Sequence, residues 1–282
     1  MTFTTRFAPS PTGSLHLGHA YSALLAHDMA RAAGGRFVLR IEDIDQTRCR
    51  PRFEAQIYDD LTWLGLTWDA KPMRQSERTG AYATALDRLW ERGLLYPCTC
   101  TRRDIAEAAA PQEGDPPFGP DGVIYPGTCR GAPRSGPRPQ GAALRLDIAR
   151  AAPATLTFHE DGAGPLGDHG RITAYHRDLA RQIGDVVLSR RDFPGSYHLA
   201  VVVDDAAQGV THVIRGQDLF DATVIHVLLQ TLLDLPTPTY HHHRLIRDDT
   251  GTRLAKRDDA RAIAALRADG ATAADIRRRV GL

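Results

Sequence analysis

Little in this sequence points away from an aqueous globular protein. No stretch of its 282 residues is apolar for long enough to span a bilayer. The amino terminus, Met1-Thr2-Phe3-Thr4-Thr5-Arg6, lacks the apolar core of a secretory signal. There is no internal repeat and no long low-complexity tract, which argues against solenoids and arrays. Net charge is only +1, so no global electrostatic pull draws the chain to nucleic acid. An RNA partner would need a local positive surface. Cysteine is scarce, with four residues: Cys49, Cys98, Cys100 and Cys129. Cys98 and Cys100, one residue apart, are awkward disulfide partners, and this usage suits a reducing cytoplasm better than secretion. A cytoplasmic monomer with no membrane partner is expected.

What is present is ordinary in bulk and specific in order. Apolar residues make up 42% and charged residues 24%, and the length fits one large domain or a catalytic domain with an insert. Thr2–Ala8 reads as a strand, and Pro9, Pro11 and Gly13 force a turn. A helix starts near Leu15 to Gly18 and is stopped by Gly34-Gly35. Phe37–Ile41 is a second strand with Glu42, Asp43 and Asp45 at its carboxyl end. Strand, helix, strand opens a parallel α/β sheet, whose ligands bind beyond the carboxyl ends of the strands. Helices follow at Phe53–Leu64 and Ser76–Arg92, the second with Ser76 as N-cap and Tyr82, Ala85, Leu86, Leu89 and Trp90 on its core face. Pro111–Gly141 is too rich in Pro and Gly for a regular element. Strand-like runs come after it at Ala143–Ile148 and Leu156–His159. The parallel pattern is expected to resume at Asp185–Leu188. Tyr197–Val203 fits helix or strand. Thr211–Ile214, a helix over Asp218–Leu233, a strand over Tyr240–Ile246 and two short helices complete the chain.

Five segments carry chemistry. In Arg6-Phe7-Ala8-Pro9-Ser10-Pro11-Thr12-Gly13-Ser14-Leu15-His16-Leu17-Gly18-His19, a strand ends in a Pro-braced loop and opens a helix. Backbone N–H groups at such a helix start face an anion. His16 and His19, three apart, project to one side of a helical turn and can donate to phosphate oxygens. Gly18 lets a flat ring approach the backbone. In Leu39-Arg40-Ile41-Glu42-Asp43-Ile44-Asp45, acids follow a buried strand. Cys98, Cys100 and Cys129 supply three thiolates for a tetrahedral structural zinc. By chemistry alone the fourth ligand is His159 or water. The segments from Gly195 to Asp205 and from Val213 to Leu219 contribute Tyr197 and Arg215. Arg253-Leu254-Ala255-Lys256-Arg257 follows a flexible Asp248–Gly251 stretch; taken alone it is a basic loop. His241-His242-His243 falls on a strand near the nucleotide site, where adjacent side chains oppose one another.

These motifs together resemble the class I aminoacyl-tRNA synthetases in their glutamyl form, over Arg6 to about Arg257. The resemblance implies a Rossmann-like catalytic domain, α/β with a parallel sheet, a small zinc-bearing insert and a short helical C-terminal region. Its expected divisions are 1–95 and 181–240 for the two catalytic halves, 96–180 for the insert, and 241–282 for a KMSKS-type loop and terminal helices. His16, Gly18, His19 and Lys256 take the ATP phosphates, and His16, His19 and Lys256 are the catalytic set, with Mg2+ accompanying ATP. Glutamate is held by Arg6, Phe7, Ala8, Pro9, Ser10, Glu42, Tyr197 and Arg215, with Glu42 receiving the α-ammonium. Which arginine takes which carboxylate stays open. Ile44 replaces the family's Thr, and Arg253 and Ala255 replace Lys and Ser in the basic loop. Only about 25 residues follow Lys256, too few for an anticodon-binding domain. That shortness and a Tyr125-x₃-Cys129 insert resemble the glutamyl-Q branch, in which Tyr125 becomes the fourth zinc ligand. The branch implies tRNA-independent activation of glutamate and its transfer to queuosine in the anticodon loop of tRNA(Asp). A catalytic fragment of an ordinary glutamyl-tRNA synthetase and an inactive RNA-binding relative are the alternatives.

Overall fold

The computed structural model describes residues 2–110, 115–246 and 262–282. The basic loop with Arg253, Ala255, Lys256 and Arg257 lies outside the described residues. The first half runs β1 (Thr4–Phe7), α1 (Leu17–Ala32), β2 (Arg36–Ile41), α2 (Pro51–Trp63), β3 (Met73–Arg74) and α3 (Thr79–Glu91). Next come β4 (Leu95–Cys98), α4 (Arg102–Ala109), β5 (Phe118–Gly119), β6 (Gly122–Val123), β7 (Ala143–Leu146), α5 (Ile148–Ala151), β8 (Thr155–Glu160), β9 (Gly170–Tyr175), α6 (His176–Gln182) and β10 (Val187–Ser189). The last third holds α7 (Tyr197–Ala207), β11 (His212–Gly216), α8 (Thr223–Leu232), β12 (Thr239–His243), α9 (Ile263–Ala268) and α10 (Ala273–Val280). No described helix is long and apolar enough to cross a membrane.

β1, β2 and β3 pair in parallel, and so do β11 and β12. The two sets meet edge to edge. The Thr211 N–H donates to the Thr4 carbonyl at 3.0 Å, and the Thr4 N–H donates to Thr211 Oγ1 at 2.8 Å. Chain order therefore runs outward from β1 to β3 on one side and from β11 to β12 on the other. The crevice beyond the carboxyl ends of β1 and β11 is the switch point where such sheets bind ligands. β12 also meets β8 in parallel at Tyr240 and Glu160, and β9 runs antiparallel to β8.

Strands covered on both faces bury every side chain, and polar ones must find partners inside. Thr5, in the all-buried β1, donates its hydroxyl to the Ala26 carbonyl of α1 at 2.8 Å. β2 shows the period of two: Phe37, Leu39 and Ile41 join the core under α1 and α2, whereas Val38 joins the core built by α3, α7 and α8. α1 ends where Gly34 takes a positive φ of 60° and the Gly35 N–H returns to the Ala30 carbonyl.

Two expectations change, and one open reading is settled. Ser76 is no N-cap: a short 3₁₀ turn over Gln75–Glu77 precedes α3, and Ser76 spends its N–H and hydroxyl on Asp43 at 2.8 and 2.6 Å. The run at Asp185–Leu188 does not resume the parallel sheet. β10 pairs antiparallel with β7, itself antiparallel to β4. Asp185 is instead a hub, accepting from the Tyr96 hydroxyl, Arg130 Nε and the Ile148 N–H. Tyr197–Val203 is helical, the first part of α7. In the Pro/Gly-rich stretch the described regular structure is the two-residue hairpin β5–β6.

Candidate active site

A cleft of about 380 Å3 opens at the switch point. It is lined by Arg6 and Phe7 of β1, by Ala8 and Ser10 just after it, by His16, Gly18, His19 and Ser22 at the start of α1, and by Glu42 after β2. Tyr197 of α7, Arg215 of β11 and His243 of β12 close it. Pro9 stands just behind this lining. Its carbonyl accepts the Glu42 N–H at 3.0 Å and so joins the two strand ends.

The two histidines are set by α1's own backbone. His16 is the N-cap: its Nδ1 accepts the Gly18 N–H at 3.1 Å, and His19 Nδ1 accepts the His16 N–H at 3.2 Å. This is a capping box built from imidazoles. Each Nδ1 is thereby an acceptor, which in the neutral ring puts the proton on Nε2. The rings lie 3.8 Å apart, so both Nε2–H donors belong to one patch of the cleft. A Cβ on Gly18 would sit 3.0 Å from the His16 ring, so the flat group that Gly18 admits is that imidazole. Ala262 bridges to His16, and the Ile263 N–H donates to the Leu15 carbonyl at 2.8 Å. Since Ile246 also lines the cleft, both flanks of segment 247–261 lie at its rim.

Opposite the histidines is a buried charge chain. Arg6 Nε donates to Asp205 Oδ1 at 3.2 Å, and Arg40 Nη1 donates to the same oxygen at 2.7 Å. Arg40 Nη2 reaches Glu42 Oε1 at 3.3 Å. Burial pushes the Glu42 carboxyl up, against the pull of Arg40 and Arg6. An arriving ammonium would supply the counter-charge that burial withholds. Asp205 is held below the usual carboxylate range by Arg6 and Arg40, which overcome its burial. Arg215 stands across the cleft, gripped by His242, His226, Thr223 and the Leu219 carbonyl.

Sequence reasoning found the lining and missed its supports. Arg40 had a signal, a cation inside the apolar run Phe37–Ile41, and the structure buries it fully. Asp205 and His226 had none of comparable strength, whereas His242 and His243 belong to the triple-histidine strand expected near the nucleotide site, and His243 lines the cleft. Asp43 and Asp45 tie loops, through Ser76 and through Thr47 and Arg48.

A second cluster lies in the region between β4 and β7. The sulfurs of Cys98, Cys100 and Cys129 all fall within 4.8 Å of one another, and Cys100 and Cys129 are 3.5 Å apart. The Tyr125 hydroxyl is 3.5 Å from both Cys98 Sγ and Cys100 Sγ. Thiolates about 2.3 Å from a tetrahedral zinc stand somewhat under 4 Å apart, so the spacing fits. The hydrogen bond from Tyr125 pulls the Cys129 thiol down to about 6. Arg145 donates to Cys98 Sγ at 3.3 Å, and its guanidinium lies 3.8 Å from the Tyr125 ring centre. These residues could hold a metal ion. His159 stands apart on an exposed position of β8, paired with Arg171.

Switch-point cleft, histidine-capped helix and buried arginines together define a doubly wound α/β catalytic domain. The family described as "tRNA synthetases class I (E and Q), catalytic domain" matches residues 2–280. The glutamyl-Q tRNA(Asp) synthetase of Rhodobacter capsulatus is 62% identical over 281 residues, 99% of each chain. That of Thiobacillus denitrificans is 43% identical over 92% of this chain and 79% of its own. A glutamate-tRNA synthetase structure from Elizabethkingia anophelis superposes with a TM-score of 0.72 at 26% identity, over 92% of this chain and 53% of that one. This chain thus spans about half the length of that synthetase. It belongs to the class I tRNA synthetases, and among them to the glutamyl-Q tRNA(Asp) synthetase family.

Proposed function

We propose that the chain activates glutamate with ATP, without tRNA, and transfers the glutamyl group to queuosine in the anticodon loop of tRNA(Asp). In the first step an α-carboxylate oxygen attacks the α-phosphorus of ATP; the new C–O–P linkage forms and pyrophosphate leaves. In the second, an acceptor hydroxyl attacks the activated carbonyl, gives up its proton, and AMP leaves. The observation that carries the reading is that one cleft gathers two imidazole Nε2–H donors at a helix start and a largely buried carboxylate flanked by arginines. The first suits phosphates and the second a zwitterionic dicarboxylate.

Within that reading, the Nε2–H groups of His16 and His19 stabilise charge on the phosphates, an electrostatic role needing no proton transfer. Lys256, with the Mg2+ that accompanies ATP, adds charge to the same groups. Glu42 receives the α-ammonium. Arg6, Arg215 and Tyr197 hold the carboxylates, with the backbone of Phe7, Ala8, Pro9 and Ser10 as the wall. Zinc held by Cys98, Cys100, Cys129 and Tyr125 ties the Pro/Gly-rich stretch to β4. The names of the Rhodobacter and Thiobacillus relatives support tRNA(Asp) as acceptor. Glutamate-dependent exchange of pyrophosphate into ATP in the absence of tRNA tests the first step; no exchange refutes it. Labelled glutamate must then appear on queuosine-containing tRNA(Asp) and survive removal of the 3′ end. Labelling of tRNA(Glu) at its 3′ terminus would instead make the chain the catalytic part of an ordinary synthetase.

A further inference from the structure

Arg215 is held by two imidazole relays whose proton positions follow from the arginine itself. A guanidinium only donates. Arg215 Nη1 lies 3.0 Å from His226 Nδ1, so that nitrogen carries a lone pair and the His226 proton sits on Nε2. His226 Nε2 lies 3.1 Å from His198 Nδ1, which must therefore accept. The His198 proton is then on Nε2, 3.2 Å from Asp121 Oδ1. On the other side Arg215 Nε donates to His242 Nε2 at 3.1 Å, and His242 Nδ1 meets Glu160 Oε2 at 2.5 Å. Burial holds His226 well below the ordinary histidine range, and the nearby Arg215 charge adds to this. A protonated ring would turn an N–H against the guanidinium.

His226 also carries the second candidate substrate contact. The Tyr197 ring packs edge-on to it at 5.6 Å, and to His198 at 5.3 Å. The outer end of this relay, Asp121, lies in the β5–β6 turn, four positions before Tyr125 of the cysteine cluster. His226 is only 1% exposed, so no solvent molecule can replace it freely.

We propose that His226 is a positioning residue for the glutamate site. It orients Arg215 as a hydrogen-bond acceptor and Tyr197 by ring packing, and Asp121 anchors it through His198. The metal-bearing insert is thereby hydrogen-bonded into the substrate clamp. This rests on the glutamate-activation reading above.

The test is tRNA-free pyrophosphate exchange by the full chain, with KM for glutamate and for ATP measured separately. His226→Leu removes the acceptor. It is expected to raise KM for glutamate by roughly tenfold or more, since a hydrogen bond to a charged group is lost. The KM for ATP and kcat at saturating glutamate should stay within about threefold. In His226→Asn the amide oxygen falls near the former Nδ1 position, and most of the affinity should return. Equal losses for both substrates, or an Asn variant no better than Leu, would mean a merely structural histidine and overturn the proposal. Should His226→Leu fail to fold, Asp121→Ala in the half-exposed turn asks the same question from the outer end. There the glutamate KM should rise while the ATP KM holds, and an unchanged glutamate KM overturns the anchoring. Absence of exchange by the parent protein would be a different failure, that of the activation reading itself.

Discussion

Replacing Asp205 with Asn removes one charge at the junction of two buried arginines. Its Oδ1 accepts from both Arg6 and Arg40, and Arg40 is fully buried. Arg40 Nε already lacks a partner, so the guanidinium has little reserve. Deleting one member of a buried ion pair typically costs about 3–5 kcal/mol, because the survivor stays buried and uncompensated. Asparagine keeps an acceptor oxygen, which points to the lower end, roughly 3 kcal/mol. Urea denaturation at pH 7.5, chosen as an ordinary buffer of about that pH, reads this as a lower midpoint at constant slope. The sign with pH follows from the depressed Asp205 carboxyl. Its contribution is present above the unfolded carboxylate pKa and is lost as pH falls through the folded one. Parent and variant therefore converge in acid. Arg40→Met in the Asp205→Asn background should cost less than the two single changes summed, by about 1 kcal/mol or more. The glutamate KM should also rise, since Arg6 loses the partner that orients it. An Asp205→Asn protein within about 0.5 kcal/mol of the parent, at the level of an ordinary surface substitution, would refute the reasoning.

Asp60 in α2 is fully buried with neither carboxylate oxygen partnered, and burial raises it from 3.8 to about 6. A raised folded pKa gives stability below the unfolded value that is lost as pH rises through the folded one, here a loss of up to roughly 3 kcal/mol. Asp60→Asn should therefore melt higher than the parent at about pH 8 and match it near pH 4; equal melting at the higher pH refutes this. The purified protein should carry stoichiometric zinc, and Cys129→Ser or chelation should release it and expose the 115–141 stretch to protease; metal analysis without zinc removes the site. His19→Ala and Lys256→Ala should lower the exchange rate while changing the glutamate KM little, because their expected contacts are with phosphates. A larger loss in KM than in kcat would contradict that division.

The part of the cleft lining from Arg6 to His19 was legible because it is contiguous in sequence. Arg6 to His19 is one strand, one turn and one helix start, so local backbone rules place these side chains together. The core face of α3 was legible for the same reason, as Tyr82, Ala85, Leu86, Leu89 and Trp90 repeat at the helical period and all are buried. β10 was misread because Val187–Ser189 is a short apolar run, and such a run does not encode whether its partner lies parallel or antiparallel. Ser76 was misread because a serine before a helical pattern satisfies the N-cap rule. The side chain was claimed by Asp43, far away in sequence, which no local rule contains.

Pairing across distance also explains why the supports of the cleft stayed hidden. The linked groups Arg6, Asp205, Arg40 and Glu42 hold two cations and two anions, and Arg215, His242 and Glu160 join one of each through a neutral ring. The formal charges of each chain cancel, which is what lets so many ionisable groups stay buried, and Glu42, pushed up by its burial, is the member with room for an arriving cation. A bound zwitterion can then be met by groups already desolvated and already aimed, with little left to reorganise. The arrangement makes the cleft's composition unforgiving. Changing one charge unbalances its chain, and the penalty appears in folding as well as in binding. In sequence these partners lie from 2 to over 190 residues apart, and each alone is an ordinary charged residue on a strand or helix. Their function is a property of the chain of contacts, and only the folded protein brings it together.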